Sequence, residues 1–127
     1  MPEQALFEYS VIKYVPLVER GEMINIGVIL YCKELAFLDM KYKIDELRIK
    51  AFHKEADLDL ITMHLRSMDM ICAGDESAFG IASLEQNFRF RWLAAKRSTI
   101  IQNSDIHPGL CEDAGEMLEH LFKVMVL

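Results

Sequence analysis

Apolar and polar positions change period several times along this chain, and each change marks an element. Leu6 to Val15 alternates with a period of two, Ser10, Ile12 and Tyr14 against Val11, Lys13 and Val15, which predicts a strand. Pro16 ends its ladder because it has no N–H to donate. Met23 to Cys32 is almost wholly apolar and rich in β-branched residues, the pattern of a central strand buried on both faces. Between them lies the charged turn Glu19-Arg20-Gly21-Glu22, where Gly21 can take a positive φ at no steric cost. Lys33-Glu34 is a second turn, and Ala36 to Tyr42 predicts a third strand, with Asp39, Lys41 and Lys43 on one wet face. The three strands suit an antiparallel meander.

Beyond Tyr42 the period lengthens. Ile44 to Phe52 predicts a short helix. From Asp57, the positions Leu58, Ile61, Leu65, Met68 and Cys72 make one buried helical stripe opposite Asp59, Thr62, Arg66 and Asp69, and Gly74 is a natural stop. Ser83-Leu84-Glu85-Gln86 has the form of a capping box, which predicts a helix over Leu84 to Ala94. The alternation Phe88, Arg89, Phe90, Arg91, Trp92 also suits a strand. Ser98 to Gln102 predicts a short fourth strand, and Asn103 to Gly109 a loop punctuated by Pro108-Gly109. Glu112 to Met125 is an amphipathic helix with its acids at the start and Lys123 near the end, as the helix dipole favours. The fold class is α+β: one domain over residues 1–127, with a small antiparallel sheet of about four strands and helices packed on one face.

Charge narrows the function classes. A net charge of −6 argues against a nucleic-acid binder that uses its whole surface, so nucleic acid is an unlikely partner. No run approaches the roughly 20 apolar residues of a membrane span, and the start of the chain lacks the features of a signal peptide. Cys32, Cys72 and Cys111 lie far apart with no CxxC pair, which fits reduced thiols in a cytoplasm. Cys32 and Cys72 suit the core, and the acidic neighbours Glu112 and Asp113 disfavour a thiolate at Cys111. The eight methionines read as core filler rather than a binding surface.

Few residues invite chemistry. Asn25 and Gly27 interrupt an apolar strand. An asparagine there needs hydrogen-bond partners, expected in the Arg20-Gly21-Glu22 backbone, and a glycine leaves bare backbone where another group can come close. Arg20, Glu22 and Asn25 together suit a polar ligand or a partner backbone, or simply a decorated hairpin tip. Arg89, Arg91, Lys96 and Arg97 form a basic island free of acids, with Ser98 and Thr99 adding hydroxyls. It suits phosphate or carboxylate, or pairing with the chain's own acids. Phe88, Phe90 and Trp92 read as core. His107, near Asp105 and Ser104, makes no triad by sequence proximity alone; it reads as a surface or turn histidine, or as a ligand contact. His53, His64, His107 and His120 lack metal-ligand spacing, and no glycine-rich phosphate loop occurs, so no metal or cofactor is predicted.

The segments YSVIKYVP, RGEMINIGVIL and KRSTIIQNSDIHPGL carry a resemblance. The chain resembles a bacterial family numbered three thousand and thirty-seven in the domain-of-unknown-function series. The spacing of Glu22, Asn25, Gly27 and Val28 is its sharpest part. Lys96 stands where the family pattern has a proline, and residues 44–83 carry no matching motif. The resemblance implies a small cytoplasmic bacterial protein, some of whose relatives are encoded beside HipA-like kinases. It implies no reaction and no catalytic residue. Three functions follow as expectations. The first is a non-catalytic protein-interaction or regulatory module, with a HipA-like kinase as partner. The second is an enzyme acting on a phosphorylated or anionic substrate through the basic island. The third is a sensor that binds such a ligand without chemistry. The two matched ends suggest a shared hollow: the fourth strand beside one of the first two would carry Arg97 towards the Arg20-Gly21-Glu22 turn, with Glu22, Asn25 and His107 around it.

Overall fold

The computed structural model describes residues 3–75, 80–97 and 99–127. Its frame is an antiparallel sheet: β1 Ala5–Tyr14, β2 Ile24–Cys32, β3 Phe37–Tyr42, β4 Ile101–Asn103 and β5 His107–Cys111. The strand order is β3-β2-β1-β4, and β5 also pairs with β1. The meander and the α+β class are as the sequence predicts. The fourth strand does lie beside the first, with Tyr14 opposite Ile101. The hairpin tip between β1 and β2 contains a short 3-10 turn, Val18–Arg20, closed by Gly21 at φ 71°.

The sheet has five strands, one more than expected, because the end of the stretch read as a loop, His107 to Gly109, opens a further strand, β5. It pairs with β1 from Ala5 opposite Cys111 to Tyr9 opposite His107. Pro108 is tolerated because β5 is an edge strand. Gly109 is there for space: a Cβ on it would lie 2.4 Å from Phe7 Cζ. β4 and β5 are nearly one strand. Between the pairs Ile12–Asn103 and Tyr9–His107, two residues of β1 oppose three residues, 104–106, which makes a β-bulge.

Helices cover both faces of the sheet, not one. β2 requires this, since Ile29 and Tyr31 point to one face and Val28, Leu30 and Cys32 to the other, all of them buried. The first face carries α1 Glu46–Phe52, α2 Leu58–Ala73 and α3 Gln86–Leu93, which contribute Ile49, Ile61, Leu65, Phe90 and Leu93 to its core. The second carries α4 Ala114–Met125, which buries Ala114, Leu118, Leu121 and Phe122. Asp45, Asp57 and Asp113 cap α1, α2 and α4 through their side chains. Gly74 ends α2 in the left-handed region.

The segment with two readings, helix and strand, is the helix α3, but the capping box does not form. Ser83 ends a separate 3-10 turn and its hydroxyl donates to Gly80 O at 2.6 Å. Glu85 is the cap residue and makes no side-chain capping bond. Gln86 instead donates to Ala36 O at 3.0 Å, tying α3 to the β2–β3 turn.

Candidate functional site

The sequence-derived candidates spread over several places. Arg20 and Glu22 pair with each other on the exposed hairpin tip. They line a small hollow with Pro16, Leu17, Phe52 and His53. Asn25 does not bind that tip. Its Oδ1 accepts from Lys13 Nζ at 3.0 Å and its Nδ2 donates to Met125 O at 3.0 Å. It therefore holds one of the carbonyls left open at the end of α4. A second, from Val126, accepts from Arg48. Gly27 is bare because β3 crosses there: a Cβ would lie 2.9 Å from both Lys41 O and Tyr42 Cβ.

The basic island is divided as well. Arg91 forms a fork with Glu8, at 2.6 and 2.9 Å, which pins α3 to β1 and raises the guanidinium pKa through that hydrogen bond. Arg89 packs against Gly74 and donates to Leu84 O. Arg97 donates to the carbonyls of Trp92 and Leu93 at the end of α3 and of Ala95 beyond it, and lies over the Trp92 ring at 4.5 Å. Lys96 pairs with Asp105. Ser98 lies outside the described residues. His107 is exposed at the start of β5, with its ring 5.4 Å from that of Tyr9.

The shared hollow is therefore not assembled as expected. Arg97 lines a hollow of about 420 Å³ with Lys13, Met23, Lys96, Gln102, Asn103, Ser104 and Asp105, and neither Glu22, Asn25 nor His107 lines it. Below it lies a polar knot that the sequence did not single out. Ser10 is fully buried and Asn103 is 8% exposed. Ser10 Oγ donates to Ser104 O at 2.8 Å, Asn103 Nδ2 donates to Ser10 Oγ at 3.3 Å, and Ser104 Oγ accepts from Val11 N at 2.8 Å. These bonds replace the ladder that the bulge interrupts. The signal was present: Ser10 sits on the face of β1 shared with Ile12 and Tyr14, as a polar residue in a core row.

The cysteines are all buried and unpaired. Burial pushes the Cys72 thiol far up, with Asp39 and Asp69 adding to it. Burial also raises Cys111, followed by its neighbour Cys32, and Asp113 comes last, so the acidic setting read from sequence is the smaller cause.

The largest departure concerns exposed apolar side chains. Phe90 is core at 0% exposure, but Phe88 is 56% and Trp92 42% exposed. Met40 fills the core as expected, whereas Met63 is 63% and Met70 37% exposed. Leu60, Met63, Ser67 and Met70 follow 3-4-3 spacing, a second stripe on α2 beside the buried one. Ser67 of that stripe shares a hollow of about 230 Å³ with His64, Met68, Ile71 and Trp92. Trp92 of α3 thus meets α2 in this hollow, which Arg97, Thr99, Ile101 and Asn103 complete, while Leu60, Met63, Met70 and Phe88 lie exposed outside its lining.

Among the described residues, no group of three or more His, Cys, Asp or Glu side chains is placed to hold a metal. Among the same residues, no helix is long and apolar enough to cross a membrane. No curated protein and no solved structure matches the chain. A family model does, over residues 9–126, and it runs through the middle region in which the sequence offered no recognisable motif. The chain belongs to the family described as protein of unknown function, DUF3037.

Proposed function

We propose that this protein is a non-catalytic interaction module in the bacterial cytoplasm, and that its partner, a HipA-like kinase, lays an amphipathic helix on the exposed apolar side chains of α2 and α3. The observation that carries the reading is the exposed stripe of α2, apolar at Leu60, Met63 and Met70. Scattered exposed apolar residues are ordinary on a protein surface. A row with 3-4-3 spacing, apolar at Leu60, Met63 and Met70, on one helix and an exposed Phe88–Trp92 pair one turn apart on the next is the pattern that seats another helix. Methionine suits such a surface because its unbranched side chain adapts to the partner's shape. The spending of Arg89 and Arg91 on internal partners also favours this reading over an enzyme built on the whole basic island.

The test is co-expression with a HipA-like kinase from the same genome, followed by purification through the kinase. The wild-type chain should co-purify in stoichiometric amount. Met63→Glu with Met70→Glu should abolish the complex, and Val124→Glu, an exposed apolar residue on α4, should not. A complex that survives the double substitution removes the α2 stripe from the proposal. Absence of any complex removes the kinase.

A further inference from the structure

The hollow beside the β-bulge shares Arg97 and Asn103 with the hollow between α2 and α3, but its argument does not rest on the docking proposal. It is lined by Lys13 and Gln102 from paired positions on β1 and β4, by Lys96 and Arg97 after α3, and by Asn103, Ser104 and Asp105 of the bulge. Two of its cations have no carboxylate partner among the described residues. Lys13 donates to the neutral amide oxygen of Asn25, and Arg97 to backbone carbonyls, which orient these groups without cancelling their charge. The third cation, Lys96, is held by Asp105, the only carboxylate among the described lining residues. In the larger hollow of about 840 Å³, by contrast, Lys33, Arg89 and Arg91 are matched by Glu8, Glu34 and Glu85. In a chain of net charge −6, the bulge hollow collects local positive charge.

We propose that this hollow binds a small phosphate-type oxyanion, free or as a monoester, between Lys13, Lys96 and Arg97, and that Asp105 occupies Lys96 until the anion displaces it. The rigid part of the site is the Ser10–Asn103–Ser104 knot, which fixes the strand positions from which Gln102 and Ser104 face the hollow. Bulges of this kind re-aim side chains beside binding sites. The ammonium groups supply charge, while the Arg97 guanidinium has five N–H donors, some of which remain for an anion after its carbonyl partners. Only part of the basic island takes part: Lys96 and Arg97 contribute, Arg89 and Arg91 do not, and Lys13, far away in sequence, replaces them.

The test is a titration with inorganic phosphate and with glycerol 3-phosphate at constant ionic strength, following the amide resonances of Lys13 and of Gln102, Asn103, Ser104 and Asp105. Saturable shifts at these amides are expected. Tighter binding of glycerol 3-phosphate would assign a monoester as the ligand class, and tighter binding of phosphate the free ion. Lys96→Gln should weaken binding about tenfold, the effect of losing one charge-assisted hydrogen bond. Asp105→Asn should tighten it several-fold by freeing Lys96. Both side chains are exposed, so neither variant should impair folding, and the melting temperature checks this. Lys123→Gln, the same charge change on exposed α4, should leave binding within about twofold. Shifts that rise linearly without saturating would overturn the proposal. So would a Lys123→Gln effect equal to that of Lys96→Gln, or an Asp105→Asn variant that binds no more tightly than wild type.

Discussion

The two faces of the sheet are finished differently. On one, α4 is closed at both ends: Asp113 accepts from Glu116 N at 2.9 Å, and Asn25 and Arg48 take the last carbonyls. Its apolar stripe is spent on Phe7, Val28, Leu30 and Cys32. On the other face α2 and α3 also fill the core, but each carries further apolar residues that the sheet does not cover, Leu60, Met63 and Met70 on α2 and Phe88 and Trp92 on α3. The first face shows what this chain does to hold itself together. The second shows surplus apolar surface in a regular row, and that surplus is where we look for function.

The strongest test of the contrast uses two phenylalanines on α3, two residues apart. Phe90 stacks on Tyr31 with ring centroids 5.4 Å apart and is fully buried. Phe90→Ala should cost roughly 3–5 kcal/mol, the range for truncating a buried aromatic. Phe88→Ala should stay within about 0.5 kcal/mol, as for an ordinary surface position. Urea denaturation of both variants decides it, and a comparable loss at Phe88 would mean that the α3 surface is structural.

A smaller effect is expected on the closed face. Gly109→Ala drives a methyl into the Phe7 ring, which is packed with Ala5 and Leu118 in the α4 core. Overpacking of this kind costs roughly 1–3 kcal/mol, read as a lowered urea midpoint. Next comes Asn25→Ala, which frees the Met125 carbonyl and the Lys13 ammonium of their partner. About 1 kcal/mol should be lost, the typical net worth of such bonds. An unchanged midpoint would show that the end of α4 needs no tie to β2.

The buried side of α2 gives the smallest and most directional expectation. Cys72 is 1% exposed and its thiol pKa is raised by burial above the usual 9.0. Its contribution to stability is therefore intact below pH 9.0 and falls as pH rises beyond it, because the unfolded chain ionises this thiol first. Cys72→Ala should be less stable near neutrality and decline less steeply above pH 9.0. Equal alkaline slopes would contradict the burial of this thiol.

Much of this architecture was legible in sequence, and the parts that were not share a cause. Local patterns found β1, β2 and β3, the Asp57 start and Gly74 end of α2, and the acidic opening of α4. What was missed depends on partners distant in sequence. Pro108-Gly109 looks like loop punctuation until Phe7 lies over Gly109. Asn25 finds Met125, a hundred residues on, where a local partner was expected. Ser83 and Gln86 fit a capping box by spacing, but Ala36 O claims Gln86. The double burial of β2 was readable, and it already required a layer on each face. In the candidate site, Lys96 and Arg97 were legible as cations, whereas Lys13 joins them only through strand pairing. The second stripe of α2 was also present in the spacing, but apolar character alone does not say whether a side chain is covered.

The contrast between the faces is most directly tested by the methionine methyl groups. They sample both: Met63 and Met70 on the outer stripe of α2, Met40 in the core, and Met117 and Met125 packed on the α4 side. The measurement is a methyl NMR spectrum of methionine-labelled protein, with and without a HipA-like kinase from the same genome. We expect the Met63 and Met70 signals to shift or broaden on addition of the kinase, while those of Met117 and Met125 stay in place. Changes confined to Met117 and Met125, or no change at Met63 and Met70, would contradict the assignment of the α2–α3 face as the docking surface.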